Sequence, residues 1–184
     1  MKAVICTKYG SPDVLRLQEV RKPVPLEDEV LIKIHAASLN SRDLRMLRAI
    51  PFFIRLMPGG LFRPKNEILG ADLAGQIEAI GRNVRQFLPG DEVFGFLPSA
   101  TGRGAFAEYV CVRENLITLK PANLSFEQAA AVPSPVTAAA TRTPTATAAV
   151  TWGNAFRPEE WQPIICRWAT WKTYTIMIGP AAPW

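Results

Sequence analysis

The stretch ILGADLAGQIEAIGRNVRQFLPGDEVFGF, residues 68–96, decides the fold. Apolar and β-branched residues gather at 74–80 and again at 92–96, with a Pro-Gly-Asp turn at 89–91 between them, and two strands are predicted. Gly81 and Gly90 stand where the chain must turn, since glycine reaches positive φ without a Cβ clash.

Upstream, residues 2–7, 15–20 and 29–37 are short strand-like runs separated by GSPD at 10–13 and the turn-forming segment 23–28. In EVLIKIHAA, Val30, Ile32, Ile34 and Ala36 alternate with Leu31, Lys33, His35 and Ala37, which predicts a strand with one apolar and one mixed face. Residues 40–49 place Leu44 and Leu47 near helical spacing, and Asn40 or Ser41 can cap that helix. Downstream, residues 104–113 and 116–119 read as strands, and Ser125 opens a short helix. Many short strands with two short helices predict a mainly β fold, a partly closed β-barrel.

The 184 residues suffice for one domain and a tail, and 48% hydrophobic with 20% charged residues fits a soluble globular chain. The net charge of +5 is spread out. Arg42, Arg45 and Arg48 would share a helix face, read as solvated or facing an anionic phosphate, and no nucleic-acid partner is expected. Cys6, Cys111 and Cys166 are odd in number and far apart, so neither a disulfide framework nor a zinc knuckle is indicated, and a reducing cytoplasm fits. The N-terminus lacks the apolar core of a signal peptide, and the apolar run 49–62 is broken by Pro51, Arg55 and Pro58, so no membrane association is expected. After Pro133 the text changes to an Ala/Thr-rich segment followed by a region holding all five tryptophans, Trp152, Trp161, Trp168, Trp171 and Trp184. A domain over 1–133 and an irregular, poorly ordered tail over 134–184 are predicted.

The ordered segments ILGADLAGQIEAIG, LPGDEVFGF, GAFAEYVCV and LKPANLSFEQAAAVP together resemble medium-chain dehydrogenases/reductases, in particular the quinone oxidoreductase-like branch. The resemblance spans most of residues 1–133. It implies a GroES-like, alcohol dehydrogenase N-terminal-type domain that covers the active-site cleft of a following dinucleotide-binding domain. Zinc-dependent relatives carry a cysteine ligand before the short helix and a histidine in a GHE motif, where this chain has SLNSRD (38–43) and Ala71. Neither a thiolate nor an imidazole is available there, and the four cysteines of the structural zinc lobe are missing from 96–109, so no metal site is expected.

The resemblance therefore implies a zinc-independent NAD(P)H-dependent oxidoreductase acting on quinones, enones or related activated C=C and carbonyl compounds. It points to Asn40 and Asp43 as catalytic residues, the amide donating to a substrate oxygen as charge builds and the carboxylate holding the amide or loop in place. Helix capping by Asn40 and a favourable charge from Asp43 in the first turn are the plain structural alternatives. Asn40 and Thr137 are the residues implied to approach the cofactor, although the spacer before Thr137 is short and contains Pro135. Many relatives carry a tyrosine just after this aspartate, where Arg45 stands here. His35, Cys6 and Cys111 are expected to be structural.

Beyond Pro133 the only glycines are Gly153 and Gly179, and no strand, glycine loop and helix follow one another as a dinucleotide phosphate site requires. The chain is accordingly expected to be a truncated or frameshifted catalytic-domain piece, inactive alone and binding no NADP(H) or NAD(H). An open cleft face would favour self-association into oligomers or aggregates. The alternative is a non-enzymatic β-barrel binding or interaction module.

Overall fold

The computed structural model describes residues 1–51, 63–64, 67–98 and 103–135, together with the backbone of one later strand, Tyr174–Ile176. β1 (Lys2–Cys6) pairs antiparallel with β2 (Leu15–Glu19) in a two-stranded sheet. The second sheet has the order β6-β3-β4-β5-β7, formed by β3 (Glu29–Leu39), β4 (Asp72–Ile80), β5 (Glu92–Phe96), β6 (Tyr109–Arg113) and β7 (Ile117–Leu119). All its pairings are antiparallel. The short helices α1 (Ser41–Arg48) and α2 (Phe126–Ala130) add to the mainly β architecture, and residues 133–135 are again helical. β8 (Tyr174–Ile176) pairs with Ala37, Ser38 and Leu39 of β3. The sheets do not close into a full barrel. β1 is tied to the segments leading into β6 and β4, its Val4 N–H donating to the Phe106 carbonyl at 2.8 Å and its Cys6 N–H to that of Glu67 at 2.6 Å.

Most elements fall within a residue or two of where pattern and turn chemistry put them; the strand expected over 104–113 begins only at Tyr109, and β8 lies in the stretch expected to be irregular. β3 does not keep a single apolar face along its length. Val30, Ile32 and Ile34 join the large core with Leu73, Ile77 and Val93, whereas Ala36 faces a second cluster with Ala74 and Phe94. The register with β4 shifts between Ile34 and Ala36, and such a bulge inserts one residue and reverses the alternation beyond it. Strict two-residue periodicity carries no mark of that event.

Glycine serves two separate needs here. Gly90 adopts φ +98° in the Pro-Gly-Asp turn, as its position predicts. Gly81 has no such φ, and a Cβ there would lie 2.0 Å from the Leu26 carbonyl oxygen, so close backbone approach is what excludes a side chain. At Gly75, in mid-β4, a Cβ would meet the Lys33 carbonyl oxygen at 2.2 Å. Gly75→Ala should therefore force strands apart and cost about 2 kcal/mol or more of stability, an overpacking penalty that backbone cannot relieve by a rotamer change. Urea denaturation checks this, and an unchanged midpoint would refute it.

Candidate active site

α1 begins where β3 ends, and its first turn builds the site. Asn40 precedes the helix in extended backbone, and its Oδ1 accepts from the Arg42 N–H at 3.0 Å. Asp43 reciprocates, its Oδ2 accepting from the Asn40 backbone N–H at 2.9 Å, and the two form a capping box. The capping expected of Asn40 is present. Asp43 holds the Asn40 backbone; the side-chain amide is held by a different residue.

That residue is Asp72, the first of β4 and fully buried. Its Oδ2 accepts from the Ser38 hydroxyl at 2.9 Å and from Asn40 Nδ2 at 3.0 Å, and its Oδ1 accepts from the Ser134 hydroxyl at 3.0 Å. Asn40 Nδ2 also donates to Ser134 Oγ at 3.2 Å, the longest bond of the group. One carboxyl thus gathers the end of β3, the cap of α1 and the segment after α2. Burial raises its pKa to about 6, against the lowering effect of its hydrogen bonds to Ser134, Ser38 and Asn40. Asp43, also buried, is pushed up by desolvation, with its backbone bonds pulling the other way.

Arg42 departs from the exposed position expected of it. Its guanidinium stacks 4.7 Å from the centre of the Phe96 ring and donates to the Leu97 carbonyl at 3.3 Å, while Arg45 and Arg48 are exposed as expected. Burial lowers its pKa, and Asp43 and Asp72 oppose that. Ala71, beside Asp72, is buried and presents only a methyl group. Among the described residues no group of three His, Cys, Asp or Glu is arranged to hold a metal ion.

His35 stacks on Phe126 of α2, ring centres 4.4 Å apart, and its Nε2 is buried without a hydrogen-bond partner. It packs helix to sheet, away from the Asp72 cluster. Cys6 and Cys111 are buried thiols in β1 and β6, and desolvation pushes Cys111 up to about 11, which leaves it unreactive at neutral pH. Thr137 lies outside the described residues. Sequence reasoning missed Asp72, Ser38 and Ser134. The available signal was an aspartate opening the apolar run Asp72–Gly75 of β4, which a buried strand tolerates only if donors converge on it.

Residues 26–122 match the alcohol dehydrogenase GroES-like domain, more than half of the chain, and the protein belongs to that family. Its relatives are oxidoreductases. It is 42% identical over 143 residues to 2-methylene-furan-3-one reductase of Solanum lycopersicum, covering 72% of this chain and 34% of that one. Among solved structures it is similar to the quinone oxidoreductase of Coxiella burnetii, with a TM-score of 0.65 and 34% identity over 73% of this chain and 41% of that one. The Escherichia coli quinone oxidoreductase complexed with NADPH gives a TM-score of 0.61 and 26% identity, covering 72% and 37% of the two chains. The chain spans about a third of the length of the curated relatives it matches. No helix among the described residues is long and apolar enough to cross a membrane.

Proposed function

We propose that residues 1–133 are the substrate-side domain of a zinc-independent, NAD(P)H-dependent reductase of quinones or activated C=C and carbonyl compounds. Residues 134–184 follow that domain, with Ser134 reaching back to Asp72, and the chain by itself is inactive. The observation that carries this reading is the cluster of buried Ser38 and Asp72 with half-buried Asn40 and Ser134, in a chain whose relatives include a 2-methylene-furan-3-one reductase and quinone oxidoreductases. Asn40 is the group offered to substrate. Its bond to Ser134 is the longest in the cluster, and a substrate oxygen taking that place would receive an N–H as negative charge develops on it. Asp43 holds the backbone beneath it.

The described residues do not fit a whole dinucleotide. They contain no strand, glycine loop and helix in succession to seat its phosphates, so no step is assigned to the cofactor in this chain. Calorimetric titration of the full chain with NADPH is expected to show no binding tighter than about 1 mM, which corresponds to about −4 kcal/mol. Sub-millimolar binding would defeat the claim of inactivity alone. The substrate-side role is checked by exchanging residues 1–135 for the matching domain of the Escherichia coli quinone oxidoreductase. Quinone-dependent NADPH oxidation is expected from the chimera, and a folded chimera without it refutes the role.

A further inference from the structure

We infer that Asp72 is the positioning residue of this site, fixing which way the Asn40 carboxamide faces and tying Ser134 to it. As a role in substrate recognition this rests on the function proposed above; as a role in orienting Asn40 it stands on geometry alone. An asparagine amide can be turned over with little change of shape, so its direction must be dictated by partners. Here the Arg42 N–H demands an oxygen and the Asp72 carboxylate demands an N–H, at 3.0 Å each. Turning the amide would set oxygen against carboxylate and N–H against N–H. The helix cap alone fixes only one side of the group; Asp72 fixes the other.

Donor counting makes the arrangement sensitive to the charge on Asp72. Ser38, Asn40 and Ser134 all donate to it, and it donates to none of them. That pattern suits the ionised carboxylate, whose oxygens only accept. Once protonated, the carboxyl must itself donate; a serine hydroxyl can reverse its bond and accept, but the Asn40 N–H can only donate. The charged groups that face Asp72 are Asp43 and Arg42, both on α1. Protonation near pH 6 therefore weakens the hold on the Asn40 N–H, which loses its anionic acceptor.

The test follows the Asn40 side-chain amide resonances of the full chain by nitrogen-15 NMR from pH 4 to 8. In the wild type both amide protons are expected to titrate with a midpoint of about 6, and Asp72→Asn should abolish the change. Ser134→Ala removes one donor that favours the anion, so it should move the midpoint upward. It decides the matter if Asp72→Asn does not fold. Amide signals that stay flat in the wild type, or a midpoint unmoved by Ser134→Ala, would overturn the assignment. Tetramethyl-1,4-benzoquinone, which resists thiol addition, then probes the functional half. At pH 7.5 it is expected to shift the Asn40 amide, with a shift several-fold smaller at pH 5. If the quinone moves no resonance, the substrate-side reading fails while the pH titration still decides the role of Asp72.

Discussion

Replacing Phe94 by alanine is expected to lower the unfolding free energy by about 3–5 kcal/mol, the range for emptying a buried aromatic site. Phe94 is fully buried in a cluster with Ala36 and Ala74 on the sheet, Ala129 and Ala130 on α2 and Val132, with Leu124 and Phe126 packed against it. The four alanine methyl groups are fixed to backbone and cannot swing inward, so much of the cavity persists. The same pocket seats α2, and the segment carrying Ser134 leaves from α2, so the variant should also loosen Ser134 from Asp72. Urea unfolding measures the first effect, and a loss below about 1 kcal/mol would mean that the pocket collapses freely.

The second large effect is a dependence of stability on pH. The folded chain keeps a proton on Asp72 up to about pH 6, while the unfolded chain releases it near the ordinary aspartate value of 3.8. Between those values the native state binds more protons, so stability is greatest at the acid end of the window and falls as pH rises through it. At about 1.4 kcal/mol for each tenfold change in proton affinity, the window carries about 3 kcal/mol. Asp43 is shifted in the same direction and adds to the slope. Denaturation midpoints at pH 4, 5, 6 and 7 should decline in the wild type and decline much less in Asp72→Asn. Equal declines would show that burial of Asp72 has no energetic consequence.

Local signals carried the fold well. Asn40 and Ser125 were legible as caps because capping depends on chemistry within three residues, and both make capping boxes. The turn at Gly90 was legible for the same reason. Features that depend on distant partners were not: the bulge in β3, the stacking of Arg42 on Phe96 fifty-four positions away, and the convergence of Ser38 and Ser134 on Asp72. Ala71 is a related case. Its meaning as a missing ligand came from resemblance, and its neighbour Asp72, which organises the site, drew no attention because one aspartate in a strand has no period to betray it.

The loop before β6 contributes Arg103, which pairs with the buried Glu29 at 2.7 Å and donates to the Cys111 carbonyl, also at 2.7 Å. Glu29 opens β3 opposite Arg113, and Cys111 lies opposite Leu31 two rungs along. Sliding the two strands by one rung would strand a carboxylate in the interior without its guanidinium, and an uncompensated buried charge costs far more than the correct pair contributes. The pair thus discriminates against decoy alignments of two largely apolar ribbons, and its value lies in the misfolded chains it forbids.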